Sequence, residues 1–474
     1  MDIDKNLTRR KFLQASVAGL SFMYLPGIGR VKARPFGIMN AGNYYGRLCY
    51  NENPLGPSPF ALDAMQQAAS ISNRYPDWYS STLESDIATS HDLAPNNICA
   101  GTGATEVIRL IADAFLTVGD EVVSATPTYF QMAYEATANG ASVIYVPVDE
   151  NYVIDLDGIS QAITPDTKLI SLVNPNNPLP TCVHKTNMEA FINSLPSGIV
   201  VVVDEAYHHY IHTPDYKSCI RYVAEGLPVI VVRTFSKAYG LAGARIGYSA
   251  ASSQYTNQIA SSQMFAMVSN LGQAAAQAAL NDTQHVTNTV TLNDQAKGIL
   301  QDGFTNLGLD YIPSETNFIM FDTGTSASWV ASELASRGFQ VRTGWGMPQH
   351  IRVSTGLLEE MNEFIVALGE ILGQDCRERK TPPTFGLNRI YPNPFNSQCT
   401  IKITSFSSEK VLLAIYDSAG RKVQTLVNQA LTPGVHNITW DGRDVHGRRV
   451  ASGVYIMNLL QGEFAKSAKI TLIR

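Results

Sequence analysis

The sequence predicts an α/β protein built on a parallel sheet, with a smaller helix-and-strand part and an all-β sandwich after it. Three observations predict this. Between about residues 98 and 282, continuous apolar runs alternate with helical segments, as in a parallel sheet buried on both faces. The polar, turn-forming motifs among them all fall at the carboxyl ends of these runs, where such sheets bind ligands. Beyond about residue 389 the helical period disappears, and short strand-like runs separated by turns replace it.

Of 474 residues, 45% are apolar and 16% charged, which suits a globular protein of more than one domain. The net charge of -6 and the absence of long like-charged runs exclude nucleic acid or an anionic membrane as the main partner. Cys49, Cys99, Cys182, Cys219, Cys376 and Cys399 are scattered without a Cys-x-x-Cys pair or a ligand-like histidine spacing. No metal site is expected, and the thiol pairing stays open.

The N-terminus reads Thr8-Arg9-Arg10-Lys11-Phe12-Leu13, followed by a weakly apolar run from Gln14 to Gly29. It resembles a twin-arginine export signal, with small residues around Val31-Lys32-Ala33 for cleavage and a mature start near Arg34. The run is short and Gly-rich for a membrane span; the plain alternative is an N-terminal helix with a chance arginine pair. Asn51-Glu52-Asn53-Pro54-Leu55-Gly56-Pro57 is turn-rich, and the next helical pattern spans Pro59 to Ala69.

The strand runs follow in order. Ile98 to Ala100 leads through Gly101-Thr102-Gly103-Ala104-Thr105-Glu106 into a helix presenting Val107, Leu110, Ile111 and Phe115, a turn whose free N–H groups can meet an anion. Glu121 to Ser124 ends at Pro127-Thr128-Tyr129, and Ser142 to Val146 comes next. Leu169 to Val173 ends at Asn174-Pro-Asn-Asn177-Pro178, and Ile199 to Val203 at Asp204-Glu205-Ala206-Tyr207. Val229 to Val232 runs into Arg233-Thr234-Phe235-Ser236-Lys237, with Arg245 eight residues beyond the lysine.

A lysine whose pKa is lowered by burial or cationic neighbours can attack an aldehyde. Hydroxyls and an arginine beside it can hold a dianionic phosphate. One small molecule carrying both groups is pyridoxal phosphate. The bland alternative is a Gly-rich loop with a solvated lysine.

From about Thr283 the pattern changes to helices and shorter strands: Thr316 to Phe321, Gly338 to Arg342 and His350 to Ser354, closing with a helix from Met361 to Leu372. Residues 374–388 read as a charged, Pro-rich linker. In 389–474, strands are expected at Thr400 to Thr404, Val411 to Tyr416, His436 to Trp440 and Gly453 to Asn458. Nothing there looks catalytic. Tyr391-Pro-Asn-Pro-Phe-Asn396, Ser452-Gly-Val-Tyr455 and Lys469-Ile-Thr-Leu-Ile-Arg474 resemble the sorting domain of type IX secretion cargo, the alternative being an ordinary Ig-like binding module.

With these motifs in order, residues 36–373 resemble class I/II aminotransferases of pyridoxal-phosphate fold type I, and among them the histidinol-phosphate aminotransferase branch. The resemblance implies a large part over about 70–282 with a mostly parallel seven-stranded sheet. It also implies a small α+β part made from the N-terminal segment and 283–373, and a homodimer with shared active sites. It implies that Lys237 holds the cofactor as a Schiff base and carries the proton during transfer, with Asp204 facing the pyridine nitrogen. Tyr207 and Asn177 would bond the ring oxygen, and Tyr129 would stack on the ring. Gly103, Ala104, Thr105, Thr234, Ser236 and Arg245 would hold the phosphate. Arg352 would grip the substrate α-carboxylate, with Arg342 as a second substrate-side arginine. Taken singly, Asp204 reads equally as a helix cap, the tyrosines as core aromatics and Arg352 as a surface ion-pair partner.

Two positions depart from the family pattern. Leu55 stands where a tyrosine that reaches the partner's phosphate site is usual, which leaves the cofactor reading intact and the substrate open. The loop after Asn177 reads Pro178-Leu179-Pro180-Thr181 in place of Pro-Thr-Gly. The expectation is an exported aminotransferase acting between an α-amino acid, or a histidinol-phosphate-like amine, and a 2-oxo acid. It would cross to the periplasm through the export machinery and reach the cell surface or the medium. A pyridoxal oxidase, racemase or decarboxylase, or an inert surface binding protein, are the alternatives.

Overall fold

The computed structural model describes residues 46–373, 386–405, 410–431, 434–461 and 464–473. The export-signal segment, the start of the expected catalytic region, most of the expected linker and Cys376 lie outside the described residues.

Seven strands form the large sheet: β1 (Ile98–Gly101), β2 (Glu121–Thr126), β3 (Ser142–Pro147), β4 (Thr167–Val173), β5 (Val200–Asp204), β6 (Val229–Thr234) and β7 (Gly247–Ala250). Their spatial order is β1-β7-β6-β5-β4-β2-β3. The links β3-β2-β4-β5-β6 are parallel, and β7 runs antiparallel to both of its neighbours. The β-branched runs of β4, β5 and β6 are buried almost throughout, which is why they read as continuous apolar stretches.

β7 escaped the sequence reading because it follows β6 without a helical crossover and opens on a glycine directly after the Gly-rich lysine stretch. Its first residue shows what it is for. A side chain on Gly247 would place Cβ 2.3 Å from the backbone nitrogen of Ala104, so the glycine lets β7 run against the start of the helix Ala104–Phe115.

The smaller sheet contains β8 (Tyr311–Ile312), β9 (Phe318–Asp322), β10 (Arg342–Gly344) and β11 (Met347–Ser354), in the order β10-β11-β9-β8. It packs with the long helix Thr283–Asn306 and the closing helix Leu358–Ile371 around Phe304, Phe321 and Phe364. The strand expected from Gly338 begins only at Arg342. Gly338 has φ +93, and Gly338 and Phe339 donate to Ala335 and Leu334, so these residues cap the preceding helix instead of entering the ladder.

The C-terminal strands β12 (Gly386–Tyr391), β13 (Cys399–Ser405), β14 (Lys410–Tyr416), β15 (Lys422–Ala430), β16 (Gly434–Trp440), β17 (Gly453–Gln461) and β18 (Phe464–Leu472) form sheets of three and four, ordered β12-β13-β16 and β15-β14-β17-β18. Trp440 is fully buried in the core between them and donates its indole N–H to the Arg443 carbonyl at 3.0 Å. The three strands absent from the sequence reading, β12, β15 and β18, are all at sheet edges, where only one side is paired and the apolar alternation is weaker.

Candidate active site

The carboxyl ends of β4, β5 and β6, the start of the helix Ala104–Phe115, the segment Tyr50–Glu52 and the small sheet enclose a pocket of about 330 Å³. Every residue singled out from the sequence lines it except Gly103. Gly103 stands directly behind: its φ is +81, and a Cβ on it would lie 2.4 Å from the Arg245 guanidinium. Only glycine leaves room for that approach.

Asp204 ends β5 and is buried. Burial pushes its carboxyl up to about 6, against the opposing pull of the Ala206 N–H, donated at 3.0 Å, and of Lys237. Next to it, Glu205 is fully buried and paired with Arg233 of β6 at 2.8 Å. Glu205 also accepts from Ser218 and from the Cys219 N–H. This satisfied pair ties the ends of β5 and β6 together immediately beside Asp204 and Thr234.

Lys237 lies three residues past the end of β6 and donates to the Tyr50 carbonyl at 3.0 Å. Burial, then the charge of Arg352, lowers its ammonium to about 8, in spite of Glu52 and Asp204. A lysine so placed is neutral in about one molecule in ten at pH 7, far more often than an ordinary lysine, and the neutral amine is what attack on a carbonyl requires.

The anion-binding end is made of a helix start and one arginine. Ala104 and Thr105 open the helix, where backbone N–H groups have no partner within the helix. Arg245, held at φ +59, donates to the Ala242 carbonyl at 3.1 Å and reaches Ser236 Oγ at 3.5 Å. Both acceptors are neutral, so the charge of Arg245 is left for an anion. Thr234 Oγ1 accepts the Ser236 N–H at 3.0 Å and shapes the turn between them.

At the opposite end Arg352 is buried, donating to the Cys49 carbonyl at 2.7 Å and to Asn177 Oδ1. Among the described residues its Nε is buried without a hydrogen-bond partner. Arg342 stands directly opposite Arg352 in the β10–β11 register. Like charges in such a pair repel, and both side chains line the pocket. Trp345 lies against both, with its ring centre 5.9 Å from the Arg342 and 5.3 Å from the Arg352 guanidinium carbon.

The pocket therefore fits a flat phosphorylated aldehyde: a glycine-backed phosphate cradle, a lysine poised for the carbonyl, a buried carboxylate, and Tyr129 and Tyr207 as ring and hydroxyl neighbours. A second, cationic end with an orphaned buried N–H suits a carboxylate or phosphate on a substrate.

Sequence reasoning had no role for Tyr50, Asn51, Glu52, Thr128, Phe130, Val173, Ala206, Ala242 or Trp345, which also line the pocket. Asn51 and Glu52 open the turn-rich segment before the first helix, whereas nothing local marked Trp345. The unusual loop after Asn177 has a structural account: Leu179 is fully buried against Ile312 and Met320 of the small sheet, so it docks the loop onto that sheet.

Residues 46–368 match the family model described as aminotransferase class I and II, and residues 395–459 match that of the FlgD Ig-like domain. The chain is 38% identical over 329 residues to a histidinol-phosphate aminotransferase of Moorella thermoacetica, covering 69% of this chain and 85% of that protein. It is 39% identical to histidinol-phosphate aminotransferase 2 of Hydrogenovibrio crunogenus, covering 69% and 88%. Among solved structures, the histidinol-phosphate aminotransferase of Sinorhizobium meliloti in complex with pyridoxal-5'-phosphate superposes with a TM-score of 0.66 at 30% identity, over 69% of this chain and 91% of that one.

Proposed function

Because the chain belongs to the class I and II aminotransferases, which depend on pyridoxal phosphate, we propose that it moves an amino group between an α-amino acid, or a histidinol-phosphate-like amine, and a 2-oxo acid, as an exported homodimer. The observation that carries the reading is one pocket that brings Lys237 together with the buried Asp204, the helix start at Ala104, and Arg342 opposite Arg352.

When bound, pyridoxal phosphate supplies an electron sink for the charge left on the substrate Cα. Ala104, Thr105, Thr234, Ser236 and Arg245, backed by Gly103, are the residues to hold its phosphate. Tyr129 would cover the ring, Asp204 would keep the ring nitrogen protonated, and Tyr207 with Asn177 would meet the ring oxygen. Lys237 Nζ would be the base that takes the substrate Cα proton and the acid that gives it back to the carbon on the far side of the amino nitrogen. Arg352 orients the substrate by its carboxylate, which its planar fork of donors suits. The neighbouring charge of Arg342 supports a substrate carrying a second anionic group.

Arg352→Lys is expected to raise the KM for the amino donor about 10- to 100-fold, the loss of a charge-assisted, two-point contact worth roughly 1.5–3 kcal/mol. A KM within threefold of the parent would remove Arg352 from substrate binding. The reaction itself is tested by the visible spectrum of the purified protein with a panel of L-amino acids and histidinol phosphate, without any oxo acid. The expected result is a visible band that certain donors discharge and a 2-oxo acid restores. A band that no donor discharges would count against transamination.

The homodimer rests on the family habit. Export rests on Arg9-Arg10 and on the sorting-like motifs from Tyr391 onward. If Arg9 and Arg10 are both replaced by lysine, the protein should stay in the cytoplasmic fraction; unchanged export would exclude the twin-arginine route.

A further inference from the structure

We infer that Asn51 and Ser354 together set the direction of the Tyr207 hydroxyl, making it a hydrogen-bond donor into the pocket. This rests on the reading that the pocket holds pyridoxal phosphate, whose ring oxygen would receive that proton.

The direction follows from counting donors and acceptors. Ser354 Oγ accepts the backbone N–H of Asn51 at 2.9 Å and donates its own proton to Asn51 Oδ1 at 2.9 Å. With its carbonyl oxygen committed to the serine, the Asn51 amide presents Nδ2 to Tyr207 and donates to the hydroxyl oxygen at 2.9 Å. Turned over, the amide would take away the acceptor of a buried serine proton. On the other side Arg352, which can only donate, holds Asn177 Oδ1. The Asn177 amide nitrogen is thereby directed at Tyr207, donating at 3.2 Å.

A phenol has one proton and two acceptor positions. Both acceptor positions of Tyr207 are filled by amide N–H groups, so its own O–H has to point elsewhere, and the open side is the pocket that Tyr207 lines.

Asn51 is built to stay put. It is 1% exposed, its φ of +56 is in the left-handed region that asparagine tolerates, and its carbonyl accepts from Asn317 Nδ2 at 3.0 Å. Ser354 comes from the end of β11, 303 residues away in sequence. Asn51 and Ser354 are positioning residues that act through Tyr207.

The test is a pH titration of the visible absorbance of the cofactor-loaded protein. In Asn51→Asp the carboxylate can only accept, so the Tyr207 proton turns toward it and the ring oxygen loses a donor. The extra charge on that oxygen holds the neighbouring lysine-borne proton more tightly, so the midpoint is expected to rise by about one pH unit, tenfold in proton affinity. Ser354→Ala, which frees the Asn51 amide to turn over, should move the midpoint the same way by a smaller amount while Ser354→Thr restores it.

A merely structural role would lower the melting temperature and leave the midpoint alone. Tyr207→Phe should raise the midpoint by itself, and in that background Asn51→Asp should add less than it does in the parent. An equal rise in both backgrounds would show that the aspartate acts by its charge alone and would overturn the inference. So would unchanged midpoints in both Asn51→Asp and Ser354→Ala beside a shifted Tyr207→Phe. A parent protein that takes up no cofactor would instead sink the reading on which the inference rests.

Discussion

Replacing Lys237 with alanine should cut turnover by about 10²- to 10⁴-fold, the contribution of a positioned proton carrier, and should remove the pH-dependent visible absorbance of the loaded protein. The fold should survive. The ammonium donates to the Tyr50 carbonyl and burial already disfavours its charge, while the buried Asp204 carboxyl, which Lys237 helps hold down, rises further on truncation and can take up a proton instead of standing as an unpaired charge. The lowered pKa makes a second statement about the same residue. Cofactor uptake by the apo-protein needs the neutral amine, so its rate should climb as pH rises through about 8 and level off above. Full turnover in the alanine variant, or uptake indifferent to pH between 6 and 10, would remove Lys237 from its role.

Asp204→Asn should produce a loss of comparable size, about 10³-fold in turnover. A carboxylate about 4 Å from a positive charge at an effective dielectric near 20 contributes about 4 kcal/mol, and the asparagine amide contributes no charge. The same substitution should affect apo-protein stability in the opposite direction. The Asp204 carboxyl titrates near 6 in the folded protein, raised from 3.8 by burial. A group raised in this way binds more protons folded than unfolded between those values. Its contribution is therefore fully present below about 4 and is lost as pH rises through about 6, up to about 3 kcal/mol. The asparagine variant titrates nothing there and can still accept the Ala206 N–H, so at pH 7 it should melt above the parent apo-protein and at pH 4 should not. Differential scanning calorimetry at the two pH values reads this directly. A parent more stable than the variant at both would mean that Asp204 is held charged at no cost, and the electrostatic account would fail.

Much of this site could be read in one dimension because its residues sit at the ends of buried strands. Asp204, Thr234 and Asn177 each follow an apolar run that can be nothing but an interior strand, and the parallel-sheet rule then places all of them at one edge. Lys237 and Arg245 follow from the chemistry of their own segment. The helix start at Gly103 to Thr105 was visible as glycines between a strand and an amphipathic helix.

What stayed hidden has a common cause. Asn51, Ser354 and Trp345 take their meaning from partners hundreds of residues away or across a small-sheet register, and no local period records such a meeting. β7 follows the lysine stretch with no helix between to mark it off, and the edge strands of the sandwich carry a diluted period. Sequence by itself determined the fold class, since burial patterns are local properties, and through the motif resemblance it pointed to the cofactor and to a set of candidate residues for it. The opposition of Arg342 to Arg352, the closeness of Gly103 to Arg245 and the proton direction at Tyr207 were decided only in the tertiary structure, because strand register, van der Waals contact and hydrogen-bond polarity exist only between segments that folding has brought together.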